Sequence, residues 1–170
     1  AIALAFAGRK LGVSMGLLLD LITPAIGAAH AAGRIGCFLG GCCYGRPTDV
    51  RWAVRYTHAL APGANPSVLR HPTPLYEAAL LLALAVVFTF VPLGQVGRGR
   101  RVLAYFALYG LLRIGVEFYR GDVGRGVFVH GTISTSQMLS ALVVVMALAG
   151  LAASRGSRVL PTDASAGERG

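Results

Sequence analysis

Apolar stretches long enough to cross a membrane constrain this sequence more than any other feature. A helix needs roughly 20 mostly apolar residues to cross the ~30 Å hydrocarbon layer of a bilayer. Four such stretches lie at about residues 16–33, 74–93, 101–119 and 133–153. The run AIALAFA at residues 1–7 resembles the end of a fifth helix whose beginning is missing, so we interpret the chain as a fragment. The sequence predicts an all-α, polytopic integral membrane helix bundle with about four complete transmembrane helices plus the end of a fifth.

Composition excludes several other classes of protein. Hydrophobic residues make up 55% of the chain and charged residues only 14%, with a mean hydropathy of +0.63. An ordinary soluble domain and an acidic disordered chain are both excluded by these values. The formal net charge is +9, but a nucleic-acid-binding domain keeps its charge on a soluble surface, whereas here arginine interrupts apolar runs. We therefore expect a lipid bilayer as partner and no nucleic acid.

The basic residues near the helix ends predict an orientation, because Lys and Arg concentrate on the cytoplasmic side. Alternate crossings place one set of basic residues on one face: Arg9, Lys10, Arg98, Arg100, Arg101, Arg155 and Arg158. We assign that face to the cytoplasm, with a transmembrane domain at residues 1–153 and a disordered cytoplasmic tail at residues 154–170. The connections at residues 34–73 and 120–132 then lie on the outer face.

Ionisable residues inside apolar segments cost several kcal/mol and usually serve a function or a buried partner. Asp20 and His30 lie in the first segment, where Thr23 and Pro24 predict a break or kink.

Arg113, Glu117 and Arg120 are spaced by four and three residues, which places them on one helical face. Two interpretations stay open for this stripe. It is either a structural set of ion pairs, or a site for an anion in which Glu117 holds guanidinium groups that bind phosphate oxygens in pairs.

The segment GRIGCFLGGCCYG at residues 33–45 contains five glycines, so we expect a compact irregular loop at the outer mouth of the bundle. Its free backbone amides and Arg34 would bind an anion there, and the alternative is close helix packing. Cys37, Cys42 and Cys43 all lie in this loop. We favour a disulfide between Cys37 and either partner. Inert packing and metal binding are the alternatives, and we expect no metal because no fourth ligand follows at a regular spacing.

The segment RHPTPLYEA at residues 70–78 predicts the start of a helix stiffened by two prolines. Ordinary helix-start chemistry would make Thr73 the N-cap and place Glu77 in the first turn. A functional role for His71 is the other interpretation.

Together these residues resemble the prolipoprotein diacylglyceryl transferase family, over about residues 16–150. The segment at residues 33–45 looks like the family's signature loop, usually written GRxGNFxNGExxG, and residues 70–78 are similar to its arginine-histidine-proline block. YGLLRIGVEFYR at residues 109–120 looks like the RxxxEFxR helix, and TSQMLSALVVV at residues 135–145 like the block near the last helix.

The resemblance implies a bacterial inner-membrane enzyme that uses no cofactor. It transfers a diacylglyceryl group from phosphatidylglycerol to the lipobox cysteine of a prolipoprotein, forming a thioether and releasing glycerol phosphate. By the resemblance, Arg34, Arg113 and Glu117 are the catalytic residues. The expected substrate-binding residues are Arg120, His71, Tyr76, Glu77, Gly36 and Gly41, and Gln137 and Ser140 match further family positions.

Three departures from the family pattern accompany the match. The signature's first Asn is Cys37 here, its second Asn is Gly40 and its Glu is Cys42. The family's His-Gly-Gly segment, whose histidine is its favoured base, would lie before residue 1. Two alternative functions therefore stand beside the transferase: a non-catalytic membrane relative that binds anionic lipid or a precursor protein, and a thiol redox membrane protein.

Overall fold

The computed structural model describes residues 8, 10, 12–57, 65–91, 99–121, 127, 128 and 133–156. Within them lie four long helices and one short strand pair. The elements in chain order are α1 (Met15–Leu39), α2 (Thr73–Phe90), α3 (Arg100–Glu117), β1 (Val127–Phe128), β2 (Ile133–Ser134) and α4 (Thr135–Gly156). The strands pair antiparallel, with Val127 opposite Ser134.

Several sequence predictions concern residues outside this description. The predicted end of a fifth helix at residues 1–7 and residues 157–170 of the predicted tail lie outside the described residues. The same holds for Arg9, Arg98 and Arg158, on which the predicted orientation partly rests.

All four predicted apolar segments form helices, and three of them have the length and composition to cross a membrane. These three are Met15–Leu39, Thr73–Phe90 and Thr135–Ser154. Helix α3 is long enough but carries Arg100, Arg101, Arg113 and Glu117 among its 18 residues. The described chain is therefore helical, with three apolar helices of membrane-spanning length.

Helix α1 continues six residues beyond the predicted end at Gly33, to Leu39, so the expected irregular loop at residues 33–39 is wrong. A glycine inside a helix costs only about 1 kcal/mol. Leaving backbone groups unpaired in an apolar environment costs several kcal/mol each, which favours the helix even at Gly33 and Gly36. The irregular segment begins at Gly40, whose N–H donates to the Gly36 carbonyl.

Helix α1 also runs through Pro24, so the predicted break there is absent. Proline has no N–H, and the Asp20 carbonyl four residues earlier loses its helical donor. The Arg101 guanidinium donates to that carbonyl at 3.4 Å instead. The fully buried Asp20 carboxylate accepts the backbone N–H groups of Gly99 and Val102, each at 3.0 Å. A carboxylate of α1 thus caps the N-terminus of α3, where negative charge is favoured.

The bundle consists of two closely packed helix pairs, α1 with α2 and α3 with α4. Gly27 of α1 approaches α2 so closely that an added Cβ would lie 3.1 Å from the Ala85 Cβ. Gly110 of α3 meets α4 in the same way, because an added Cβ would lie 2.6 Å from Val144 and 3.0 Å from the Ser140 carbonyl oxygen. Small residues at such contacts are typical of helix packing in membranes.

Many polar and charged side chains are buried in this bundle beside an apolar core of Ala31, Leu81, Phe88 and Tyr105, and many large apolar side chains are exposed on its outside. A soluble protein rarely buries so many charged residues. The buried polar side chains of the helices include Asp20, Thr23, Glu77, Arg101, Arg113, Glu117 and Ser140. Helix α4 exposes Leu139, Val145 and Met146, each by more than 60%. Such an arrangement suits a helix bundle surrounded by lipid.

The start of α4 has a reciprocal cap that explains the role of Gln137 in the fold. The Ser134 hydroxyl accepts the Gln137 N–H at 3.1 Å, while the Gln137 side-chain oxygen accepts the Ser134 N–H at 3.0 Å. This is the capping-box pattern of a serine followed three residues later by glutamine.

We predict that Asp20→Asn destabilises the chain, because an amide cannot accept both N–H groups as a carboxylate does. The expected loss of unfolding free energy is about 1–3 kcal/mol, the usual cost of unsatisfied buried donors. Denaturant unfolding in detergent micelles measures this loss, with Asp49→Asn, at an exposed position in the loop between α1 and α2, as the matched control. Equal stability of the two variants would contradict the capping role.

We predict opposite effects for alanine at two glycines of α3. Gly110→Ala places a methyl group against Val144 and the Ser140 carbonyl and should cost about 1–3 kcal/mol of stability. Gly115→Ala has no atom within 4 Å and should be neutral or stabilising by up to about 1 kcal/mol. Thermal unfolding followed by circular dichroism compares them, and a Gly110→Ala chain as stable as Gly115→Ala would refute the close contact.

Candidate functional site

A network of alternating charges joins three helices at one end of the bundle. Arg34 Nε of α1 lies 3.0 Å from Glu77 Oε1 of α2, and Arg113 Nε of α3 lies 3.9 Å from the same oxygen. Arg113 Nη1 lies 2.9 Å from Glu117 Oε2, and Arg120 Nε lies 3.9 Å from it. The structure therefore brings together the predicted residues Arg34, Arg113, Glu117, Arg120 and Glu77.

Burial makes this network different from a surface ion-pair stripe. The side chains of Glu117, Glu77 and Arg113 are only 2%, 6% and 7% exposed. Arg34, at 18%, is the most open member of the network. Removing one partner of a buried ion pair typically costs about 3–5 kcal/mol, because the other charge is left uncompensated. The network is thus both a structural joint and the most strongly charged interior region described.

The backbone positions these groups by simple helical spacing. Arg113 and Glu117 are one turn apart on α3, and Glu77 begins the second turn of α2, beside the end of α1 that carries Arg34. Thr73 is the first residue of α2, and its hydroxyl donates to the Cys43 carbonyl at 2.6 Å. The expected N-cap role of Thr73 is therefore wrong, because Pro72 occupies the N-cap position. The Thr73 hydroxyl instead connects the start of α2 to the preceding loop.

Sequence reasoning missed Tyr109 as a member of this site. Its hydroxyl donates to Glu77 Oε1 at 3.1 Å, and its ring meets His30 edge to face with centroids 4.7 Å apart. Tyr109 lies one turn before Arg113, just as His30 lies one turn before Arg34. Extending the spacing of four backward along each helix would have identified both residues.

The network suits the binding of one anionic group. It contains three guanidinium groups and two carboxylates, which leave one net positive charge. Arginine binds phosphate oxygens through a planar fork and stays charged when partly desolvated. The carboxylates hold the guanidinium groups of Arg34 and Arg113 near a shared oxygen, so both can face the same ligand.

An aromatic cluster lies next to this network in the chain, because its member Tyr119 directly precedes Arg120. His71 Nδ1 lies 3.0 Å from the Tyr76 hydroxyl, which also accepts the Trp52 indole N–H at 2.7 Å. Tyr119 packs edge to face against both His71 and Tyr76. Burial, and then the charge of Arg46, lower the pKa of His71 below its ordinary value. His71 is therefore neutral at pH 7.

Three backbone amides of the glycine-rich loop are already paired within the protein, and so are not free for the anion binding that the sequence suggested. The N–H groups of Gly41, Cys42 and Gly45 donate to the carbonyls of Phe38, Cys37 and His71 respectively. Gly41 needs its glycine for a positive φ of 66°. Gly45 needs it because an added Cβ would lie 2.5 Å from the His71 Cβ.

The predicted disulfide is not formed: Cys37, Cys42 and Cys43 are free thiols in the structure. Their three Sγ atoms all lie within 4.8 Å of one another, a group of potential metal ligands. Burial and the neighbouring Cys43 raise the pKa of Cys42 to about 12. Cys42 is therefore a neutral thiol at pH 7, which also donates weakly to the Cys37 carbonyl at 3.5 Å.

Known proteins to which this chain is similar carry the same family description. The family model for prolipoprotein diacylglyceryl transferase matches residues 1–153. A phosphatidylglycerol–prolipoprotein diacylglyceryl transferase of Clostridium tetani is 36% identical over 131 residues, covering 77% of this chain and 51% of the relative. Its counterpart in Chromohalobacter salexigens is 37% identical over 157 residues, covering 91% and 55%. The chain spans about half the length of the curated relatives it matches.

We predict a measurable coupling between Arg34 and Glu77. In a double-mutant cycle with Arg34→Gln and Glu77→Gln, the interaction energy should be at least about 1 kcal/mol, as expected for a buried pair in contact. Unfolding free energy in detergent is the readout.

The matched control cycle pairs Glu77→Gln with Arg51→Gln, which is at an exposed position in the loop between α1 and α2. That cycle should be additive within about 0.5 kcal/mol. An Arg34–Glu77 coupling no larger than the control would show that the ion pair is not energetically important.

Proposed function

The chain belongs to the prolipoprotein diacylglyceryl transferase family, and from this premise we propose that it transfers a diacylglyceryl group from phosphatidylglycerol to the lipobox cysteine of a prolipoprotein. The observation that carries the proposal is the shared position of Arg34 and Arg113, two arginines from different helices on one Glu77 oxygen. Such a pair is suited to a phosphodiester.

We propose the following placement in the membrane. Helices α1 to α4 each cross the bacterial inner membrane. Arg100 and Arg101 begin α3 at the same end of the bundle as the start of α1, which assigns this end to the cytoplasm. The C-terminus lies on the same side, because Gly150 near the end of α4 approaches Leu103 near the start of α3. The arginine network then lies near the outer face, where a lipoprotein precursor emerges.

The proposed chemistry is the alkylation of a thiolate. The cysteine sulfur attacks the glyceryl carbon, a carbon–sulfur bond forms, and the carbon–oxygen bond to phosphate breaks. Glycerol phosphate leaves with the electron pair, and the thiol proton passes to a base or to water. Negative charge grows on the leaving phosphate, and fixed cations in a water-poor site stabilise that growth strongly.

Each member of the network has a distinct part in this proposal. Arg34 and Arg113 bracket the phosphodiester, and their charge lowers the pKa of the incoming cysteine thiol. Glu117 orients Arg113 through the 2.9 Å ion pair, and Glu77 holds Arg113 beside Arg34. Glu77, expected from the resemblance to bind substrate, is better assigned to positioning, because its carboxylate is nearly buried among cations.

The remaining predicted site residues surround the phosphate. We propose that Arg120, His71 and Tyr76 contact the glycerol headgroup, since the aromatic cluster adjoins the Arg120 end of the network. Gly36 leaves open space on α1 two residues from Arg34, which admits a lipid chain. Gly41 acts through the shape of its left-handed turn.

A second candidate function is favoured by the departures from the signature loop. Cys37, Gly40 and Cys42 replace two amides and a carboxylate, which removes polar contacts near Arg34. A relative that binds anionic lipid without turning it over would keep the arginines and lose these groups.

Mass spectrometry of a lipobox peptide tests the proposal. The peptide is incubated with phosphatidylglycerol vesicles and the protein in its longest natural form. We expect a diacylglyceryl mass on the peptide cysteine, and Arg113→Ala should lower the rate more than tenfold, because removal of one such donor costs more than ~2 kcal/mol of barrier. Arg113→Lys keeps the charge but loses the fork, so it should restore little activity.

The matched control is Arg51→Ala, which removes an exposed outer cation and should leave the rate unchanged. A folded protein that binds phosphatidylglycerol but forms no lipidated peptide would favour the non-catalytic relative. Equal rates for Arg113→Ala and Arg51→Ala would overturn the assigned role of Arg113.

A further inference from the structure

The three cysteines form a convergent cluster that the proposed transfer reaction does not use. Cys37 lies in the last turn of α1, and Cys42 and Cys43 lie in the loop that follows. All three thiols are free and partly exposed, with their Sγ atoms within 4.8 Å of one another. A bound ion could therefore reach all three from one position.

These distances fit a thiolate metal site. Thiolate sulfur binds zinc at about 2.3 Å, so three sulfurs around one ion in a trigonal plane are about 4 Å apart. All the observed Sγ separations are 4.8 Å or less, so none exceeds that value by more than about 1 Å, a difference within the reach of small side-chain rotations. The cluster needs no backbone rearrangement to close on an ion.

The backbone holds the cysteines together without the ion. The Cys42 N–H donates to the Cys37 carbonyl at 3.0 Å, closing the turn that returns the chain to the end of α1. Cys43 adopts a positive φ of 58°, a conformation uncommon for residues other than glycine. The Thr73 hydroxyl fixes the Cys43 carbonyl to the start of α2. Preorganised ligands lower the entropic cost of binding.

We propose that Cys37, Cys42 and Cys43 bind one soft d¹⁰ cation, Cu⁺ or Zn²⁺, through three thiolates. Three S–H groups release their protons to solvent, three sulfur–metal bonds form, and no group is oxidised or reduced. Soft thiolate ligands select these ions over Mg²⁺ and Ca²⁺, which prefer oxygen. Cu⁺ is satisfied by the three sulfurs, and Zn²⁺ keeps a water in the fourth position.

The sequence led us to expect no metal because no fourth ligand follows at a regular spacing. The structure changes that expectation, since three thiols converge without one. The negative charge of a three-thiolate site also has a cation beside it, because Arg34 lies one helical turn before Cys37.

Bound metal would join the end of α1 to the loop that contains Gly45, which packs against His71. The ion would therefore stabilise the wall beside the arginine network. This inference rests on the cysteine geometry and does not depend on the transferase activity.

Metal titration of the full chain tests the proposal. The protein is purified in detergent with a non-thiol phosphine reductant and titrated with Zn²⁺ or Cu⁺ against a competing chromophoric chelator. We expect one ion per chain, and at least tenfold weaker binding for each of Cys37→Ser, Cys42→Ser and Cys43→Ser. X-ray absorption should show three sulfur neighbours at about 2.3 Å for zinc.

There are two matched controls. The triple serine variant should bind neither Zn²⁺ nor Cu⁺ at this site, and added Mg²⁺ should not displace either ion from the parent chain. Circular dichroism confirms that each serine variant keeps the helical content of the parent chain, so that lost binding reports lost ligands. The proposal is overturned if the reduced chain, with three alkylatable thiols, holds neither cation more tightly than the triple variant. A disulfide that persists in the reduced preparation with either cation present would overturn it as well.

Discussion

Burying guanidinium groups among apolar helices is the constraint on which the rest of this structure depends. An unpaired charge inside such a bundle costs several kcal/mol, so each buried arginine requires a partner on a neighbouring element. At one end, Arg101 donates to the Asp20 carbonyl that Pro24 leaves without a helical donor. At the other end, Glu77 joins α2 to an arginine on α1 and to another on α3. These two polar joints connect α1, α2 and α3 to one another, while large apolar side chains of the helices remain exposed on the outside.

Much of the fold follows from local patterns, and the errors occur where distant residues decide the outcome. Apolar length predicted all four helices, and a spacing of four correctly placed Arg113 and Glu117 one turn apart on α3. The prediction that Arg120 shares their helical face is wrong, because α3 ends at Glu117 and the Arg120 backbone pairs with Gly45 instead. Glycine content wrongly predicted a loop at residues 33–39, because helical hydrogen bonding in an apolar environment outweighs glycine's modest penalty. Of the break or kink expected at Pro24, the break is absent, and a residue 77 positions later donates to the carbonyl that the proline leaves without a helical donor. Such long-range partners cannot be read from spacing alone.

The candidate site shows the same division between local and distant information. Arginine chemistry and the family resemblance identified the cationic residues, but neither shows that Arg34 and Arg113 share one oxygen of Glu77. That geometry depends on three helices packing together. The last turns of α1 carry both Arg34 and Cys37, so the phosphate site and the thiol cluster that we propose lie on adjoining parts of one helix. A conformational change in the cysteine loop would thus alter the position of Arg34 in the arginine network.

A structure of the protein with bound phosphatidylglycerol would show whether the buried arginine network binds the lipid phosphate. We predict lipid phosphate oxygens about 3 Å from the guanidinium nitrogens of both Arg34 and Arg113, the distance of a charge-assisted hydrogen bond. We also predict that Glu77 and Glu117 keep their ion pairs to these arginines. Phosphate bound instead at exposed arginines of the loop between α1 and α2, such as Arg46 and Arg51, with the buried network unoccupied, would contradict this role of the network.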